Sequence, residues 1–309
     1  MTTETSIELV SPFRYPGSKQ ALSGYFKQFL EKNGINKPHL FEIFAGGASL
    51  SLTLLSIDAV EEVTLVERDP LIYAFWKCLK RSPSELCDRI WKIQPTIDTW
   101  KRFQCYRETG AEKKHNLLDL AVAGIFFNRV NYSGILGAKP IGGMSQGSDY
   151  MIDCRWNPER TTTQICNIAK KAKRIHIASG DAVAYLRRNT SRIRSLGRKN
   201  KAIVYVDPPY YLQGKKLYRY YFEERQHEGL AKYLSECNLP WLTSYDNHPR
   251  IRELFDGCKI VPIYLKYTVR QARNADELLI TDLEHLPTPP PTFAQVAPSL
   301  LNTEKKLAS

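Results

Sequence analysis

Apolar and polar positions along the chain fall into short, dense apolar runs separated by amphipathic stretches. His39-Leu40-Phe41-Glu42-Ile43-Phe44, Val63-Thr64-Leu65-Val66, Arg174-Ile175-His176-Ile177-Ala178 and Ala202-Ile203-Val204-Tyr205-Val206 are rich in β-branched and aromatic residues. Runs of this length and composition suit strands buried on both faces. Helical patterns lie between them, through 20–32, from Ser49 to Leu55 and from Leu71 to Lys80. Tyr73, Phe75 and Trp76 in the last of these read as packing. Strand alternating with helix predicts an α/β domain with a parallel sheet. Three further strands, Trp241–Tyr245, Ile260–Tyr267 and Glu277–Thr281, with helices at 223–237 and 248–255, predict an antiparallel end to that sheet.

The alternation stops between 81 and 170. Up to about 130 the pattern is helical, with Trp91, Trp100, Phe126 and Phe127 at core-like positions. From Asn131 to Pro158 it is glycine-rich and irregular, as in a long functional loop or hairpin. An insertion between the second and third strands fits a substrate-reading lobe. Boundaries follow: 11–80 and 171–285 form one domain, 81–170 the inserted one, and 286–309, with its Pro-Thr-Pro-Pro-Pro-Thr run, a disordered tail.

Charge adds a partner to this outline. A net charge of +12 and a pI near 9.3 favour a polyanion, with nucleic acid ahead of a membrane because no basic amphipathic helix stands out. Seven residues between Arg187 and Lys201 are basic, and none after Asp181 is acidic, which suits a phosphate-facing surface. Lys215, Lys216 and Arg219 interleave with Tyr218, Tyr220 and Tyr221 in the same sense. No signal-like or spanning segment is visible, so a cytoplasmic protein is expected. The seven cysteines form no Cys-x-x-Cys pair and read as reduced thiols; the six histidines have no ligand spacing, so no metal is expected.

The candidate chemistry sits at strand ends. Asp207 follows the strand 202–206 directly, where open α/β sheets place ligands. Pro208 and Pro209 then fix φ and remove two amide donors, which leaves a stiff loop of carboxylate, free carbonyls and the Tyr210 ring. Carboxylate and carbonyl can accept both N–H bonds of a planar amine while a ring stacks on it. Ala45-Gly46-Gly47 makes a tight turn after the first strand, where a cofactor can approach the backbone. Glu67 ends the second strand about twenty residues on, the place for an acid that holds ribose hydroxyls. Asp181 either caps the next helix or touches a cofactor. Lys19, taken alone, reads as a solvated surface lysine.

Taken together, Arg14-Tyr15-Pro16-Gly17-Ser18-Lys19, Phe41 to Gly47, Glu67, Asn128-Arg129 with Ser133-Gly134, and Asp207-Pro208-Pro209-Tyr210 resemble, in order, the motifs of the Dam-like, alpha-group adenine-specific DNA methyltransferases. The resemblance covers about 11 to 283. It implies a Rossmann-like, seven-stranded class I S-adenosylmethionine-dependent methyltransferase sheet with an inserted, mainly helical target-recognition domain. It implies that Tyr15, Lys19, Glu42, Ala45, Gly46, Gly47, Glu67, Asp181 and Asp207 bind S-adenosylmethionine. Asp207, Pro208, Pro209 and Tyr210 then form the catalytic loop, and Asn128, Arg129, Tyr132, Ser133 and Lys139 meet the DNA. Tyr15 stands where Trp is usual and Glu67 where Asp is usual; both replacements keep the chemistry.

The expected reaction is site-specific methylation of adenine N6 in double-stranded DNA. It proceeds by direct displacement on a flipped-out base, with no metal and no covalent intermediate. A cognate restriction endonuclease is an implied partner, and an orphan or phage enzyme is the other setting. RNA or a glutamine amide offers a similar planar amine, and a non-catalytic DNA-binding protein is the rival of a different class.

Overall fold

The computed structural model describes residues 8–14, 18–212, 214, 219–267 and 273–290, with side chains in 266–275 excepted. After a 3-10 turn, Lys19–Leu22, the chain forms α1 (Ser23–Lys32), β1 (His39–Ile43), α2 (Ser49–Ser56), β2 (Glu62–Glu67) and α3 (Pro70–Arg81). Helices α4 (Pro83–Trp91), α5 (Ile97–Arg102), α6 (Ala111–Lys114), α7 (Leu117–Val130) and α8 (Pro158–Ala169) follow. Alternation then resumes with β3 (Ile175–Ser179), α9 (Ala182–Gly197), β4 (Ala202–Val206), α10 (Glu224–Glu236), β5 (Trp241–Asp246), α11 (Pro249–Leu254), β6 (Lys259–Tyr267) and β7 (Arg273–Thr281). The seven strands run β3-β2-β1-β4-β5-β7-β6. All pairings from β3 to β5 are parallel, and β7 enters antiparallel between β5 and β6. This is the expected seven-stranded α/β sheet.

Every residue of β1 and β4 is buried, which is why both read as unbroken apolar runs. Alternation still sorts them. Leu40, Leu65, Ile203, Tyr205, Leu242 and Leu279 face one core with α1, α2, α3 and α7, while Phe41, Val66, Val204, Val206, Trp241 and Ile280 face a second with α9, α10 and α11. The helices of 81–170 belong to the first core. Phe126 and Phe127 on α7 are fully buried there, alongside Phe75 and Trp76 of α3.

Trp91 departs from its expected core position, being 54% exposed. α4 buries Leu86, Cys87 and Ile90; Trp91 lies about 100° further round and ends the helix, so nothing covers it. The basic run 187–201 leads away from the strand ends where Asp207 lies, because α9 returns the chain to the start of β4. Arg187 stacks on Tyr233, Arg194 donates to the Cys237 carbonyl, and Lys201 donates to the Asn36 carbonyl. The start of the segment expected to be a disordered tail packs instead: Leu286 lies against the first core, and the Pro287 carbonyl accepts from the Tyr25 hydroxyl of α1 at 2.7 Å. Among the described residues, no helix is long and apolar enough to cross a membrane.

Candidate active site

An open cleft lies over the carboxyl ends of β1, β2 and β4. Lys19, Glu42, Phe44 to Leu50, Glu67, Asp207 and Pro209 line it, with Gly134 to Leu136 and Arg219, Tyr220 and Phe222 closing the sides. The turn from β1 into α2 is strained. Phe44, Gly46 and Ala48 have φ of 69°, 46° and 49°, and a non-glycine residue in that region costs about 1–3 kcal/mol. Tertiary contacts hold the turn: the Ala45 amide donates to the Val66 carbonyl, and the Trp76 indole donates to the Gly46 carbonyl at 2.9 Å. The Phe44 ring meets Phe222 edge-on at 5.3 Å.

Glu67 continues the turn. Its two oxygens accept from the Gly46 amide at 2.9 Å and the Asp69 amide at 2.7 Å. Burial nevertheless pushes its pKa up to about 7, those backbone donors pulling against it. Glu42, 5% exposed, is pushed up to about 8 by burial. The Ser51 hydroxyl and amide lie near the carboxyl and pull against that rise, but Oε2 makes no well-formed hydrogen bond although the residue lines the cleft. A buried carboxylate oxygen without a well-formed hydrogen bond suits a cationic or N–H-bearing ligand.

On the other wall, Asp207 accepts from the Ser244 hydroxyl at 2.6 Å and faces the Lys19 ammonium at 3.3 Å. Burial raises the Asp207 pKa, with Lys19 pulling it down. The same ammonium reaches Glu277 at 3.1 Å and donates to the Tyr210 hydroxyl at 3.2 Å. Tyr210 in turn donates to Glu277 at 2.6 Å. Lys19 is only 4% exposed, so the solvated reading of that lysine is overturned: two carboxylates and a phenol replace its water. Asp246, at the end of β5, accepts from the amides of Tyr211 and Leu212 at 2.8 and 3.0 Å and so fixes the loop beyond Tyr210.

A family model described as D12 class N6 adenine-specific DNA methyltransferase matches residues 15–269. The chain belongs to that family. A search of the curated proteins returned no match. Among solved structures, the chain is similar to the "putative RNA methyltransferase PH1948 from Pyrococcus horikoshii", at 12% identity and a TM-score of 0.36 over 87% of this chain and 85% of that one. It is also similar to the "Putative methyltransferase yhhF from Escherichia coli", at 13% identity and a TM-score of 0.32 over 88% and 91%. As a member of the family, the protein is a methyltransferase whose substrate is adenine in DNA.

The methyltransferase gathers most of its expected site residues into one place. Lys19, Glu42, Ala45, Gly46, Gly47, Glu67, Asp207 and Pro209 line the cleft; Pro208 is buried behind it, and Tyr210 stands beside it on Glu277. Tyr15 lies outside the described residues, as do Lys215, Lys216 and Tyr218. Asp181 is not in the lining: it caps α9 by accepting from the Ala184 amide at 2.9 Å and faces Arg68 at 4.0 Å.

The residues expected to meet DNA divide by depth. Asn128 is fully buried, and its amide is spent on the chain: it accepts from the Arg14 amide at 2.7 Å and donates to the Arg14 and Gly134 carbonyls at 2.8 Å each. Gly134, at φ 75°, is held so tightly that a Cβ would sit 2.2 Å from the Arg14 carbonyl oxygen. Asn128 is therefore a bracket joining two stretches 120 residues apart. Beside it, burial and the neighbouring Arg14 and Arg160 push the Arg129 pKa down to about 9. Tyr132 and Lys139 are exposed and Ser133 half-exposed.

Glu277, Ser244, Asp246 and the Asp69–Arg219 pair were not foreseen. Asp246 carries the same signal that singled out Asp207 and Glu67, an acid at a strand's carboxyl end. Glu277 carries none, because it enters from an antiparallel strand. Arg219 bonds both Asp69 oxygens at 3.1 Å and also donates to the Arg107 carbonyl, tying the loop after β4 to the inserted helices.

Proposed function

We propose that the cleft binds S-adenosylmethionine and that the Asp207–Tyr210 loop receives an adenine flipped out of double-stranded DNA. The observation that carries this reading is the meeting, in one cleft, of a buried Glu42 carboxyl with no ion-pair partner among the described residues and a held Asp207. The first suits a cation; the second suits an amine. The bound cofactor would supply an electrophilic methyl group. Glu42, the Ala45–Gly47 turn and Glu67 would hold it, with Lys19 fixing the position of Asp207. Asp207 and the Pro208 carbonyl would accept the two N–H bonds of the adenine amine, drawing electron density onto nitrogen and aiming its lone pair. Tyr210 would stack on the base.

The exposed part of the inserted loop supports a duplex as the acceptor. Of the eight large apolar side chains left exposed among the described residues, Tyr132, Met144, Tyr150 and Met151 all lie between 131 and 157. Such groups, set in a basic chain, suit a surface that enters a base stack while phosphates meet Arg and Lys. We assign site choice to this loop, with Tyr132, Ser133 and Lys139 as its DNA contacts and Asn128 and Arg129 behind them. A cytoplasmic setting and a cognate restriction endonuclease complete the proposal.

Labelled methyl should pass from S-adenosylmethionine to adenine in double-stranded DNA and not to RNA or protein glutamine. Appearance of the label in 4-methylcytosine would overturn the base assignment. DNA binding without cofactor binding would favour the non-catalytic rival. Mapping methylated adenines in cells that express the chain would give the site and show whether an endonuclease is thereby blocked.

A further inference from the structure

At the strand ends farthest from the cleft, three side chains with no spacing signal meet. His39 opens β1, Glu62 opens β2, and His176 is the second residue of β3. One carboxylate oxygen, Glu62 Oε2, lies 3.4 Å from His39 Nδ1 and 3.0 Å from His176 Nε2. The donor atoms of all three residues lie within 4.8 Å of one another. A tetrahedral zinc ion with bonds of about 2.0–2.1 Å sets its ligand atoms about 3.4 Å apart. The two measured separations are of that size.

The surroundings also suit ligation. His39 Nε2 lies 2.7 Å from the Thr64 hydroxyl oxygen, in a buried contact. With its proton on Nε2 and donated to Thr64, the ring turns an Nδ1 lone pair toward Glu62. A ligating imidazole is oriented in this way by a partner beyond the metal. The His39 ring is clamped on its other side by Phe41, stacked at 4.3 Å, and the His176 ring lies 5.4 Å away at 26°. Of the basic groups near this edge, Lys37 and Arg174 are engaged by Asp58, and Lys201 donates to the Asn36 carbonyl. Lys80, which also feels Glu62, donates to the Ile175 carbonyl, while Arg192 lies beside His39. Arg192 opposes a cation and limits its affinity.

We propose that His39 Nδ1, Glu62 Oε2 and His176 Nε2 form a three-ligand site for a zinc-class divalent ion, water taking the fourth position. Two imidazoles and one carboxylate suit zinc rather than calcium or magnesium, which prefer all-oxygen sets. The ion would join β1, β2 and β3 at an edge where no covalent link exists. Its part is structural: Glu62 and Glu67 stand at opposite ends of β2, about 17 Å apart along an extended strand.

The test is titration of the dialysed full chain with zinc chloride alone, followed by calorimetry and thermal unfolding. One ion per chain should bind in the micromolar range, and the melting temperature should climb with zinc concentration. His176→Ala and Glu62→Gln, both at half-exposed positions, should lose that climb while melting normally in chelator. Seven reduced cysteines offer zinc other homes, so cobalt is the spectroscopic control. Cobalt at the proposed site should give tetrahedral visible bands without a thiolate charge-transfer band. The proposal is overturned by absence of saturable binding, by a melting shift that persists in both variants, or by a thiolate band. Methyl transfer does not enter the readout, so the site stands or falls apart from the function assigned to the cleft.

Discussion

The floor of the cleft and the inserted loop solve opposite problems. At the floor, charged groups are taken out of water and locked to one another: Lys19 is held by Asp207, Glu277 and Tyr210, with Ser244 behind Asp207. The loop from 131 to 157 does the reverse, leaving Tyr132, Met144, Tyr150 and Met151 exposed on a frame of turns. Even that frame has an internal order, since the Gln146 side chain bonds the Ile141 and Gly143 carbonyls and the Ile152 amide. Chemistry on one amine needs fixed charges in a dry place, whereas a contact with a long polymer needs area. Between them stands Asn128, buried like the floor and attached to the loop.

If the floor carries the reaction, Asp207→Ala gives the largest effect. Methyl transfer should fall about a thousandfold or more, within the range for loss of a positioned proton-acceptor group. Cofactor binding and the melting temperature should change far less. A variant that keeps a tenth of the activity would place the amine elsewhere.

Asn128→Ala tests the bracket. It leaves the Arg14 amide and two carbonyls without partners in a buried place, so urea unfolding should show a loss of about 2–4 kcal/mol. A loss under about 0.5 kcal/mol, with DNA affinity abolished, would instead make Asn128 a direct contact.

The floor should also show itself in pH. Glu42 and Glu67 have folded pKa values near 8 and 7, both raised by burial from an ordinary value near 4.5. The folded form thus binds more protons than the unfolded one across that window. Stability from these groups is full below about pH 4.5 and is lost as pH rises through 7 and 8. Unliganded protein should melt progressively lower from pH 5 to 8.5, and Glu42→Gln should flatten the upper part of that slope. Cofactor binding at pH 7 should release a proton if its cation lies beside Glu42, measurable by calorimetry in two buffers. A slope unchanged by the Gln variant would remove Glu42 from this role.

The smallest change in stability belongs to the loop. Tyr132→Ala and Met151→Ala should each stay within about 0.5 kcal/mol, because their side chains are exposed. Tyr132→Ala should nonetheless weaken DNA binding by about tenfold, the lower end of what an aromatic ring stacked on a base contributes, and Met151→Ala should weaken it by removing an apolar wedge. Full affinity in both variants would move the interface off this loop.

The strands were legible because their residues must be buried on both sides, which forces apolar runs such as 202–206. Acids that break those runs at the carboxyl end, Glu67 and Asp207, were legible for the same reason: burial of a charge there needs a cause. Trp91 was misread because helical period alone does not say where a helix ends. Lys19 was misread on its own because a lysine's surroundings come from elsewhere in the chain.

What the sequence determined by itself, then, is the local part: which segments are strands, where the stiff Asp207–Tyr210 loop falls, and which family the ordered motifs resemble. Tertiary structure alone decided which charges neighbour one another. Glu277 reaches Lys19 across 258 residues, Asn128 reaches Arg14 across 114, and His39, Glu62 and His176 meet through strand pairing. Hydrophobic period is set within a few residues by backbone geometry, whereas the partner of a buried charge is set by the register of distant strands.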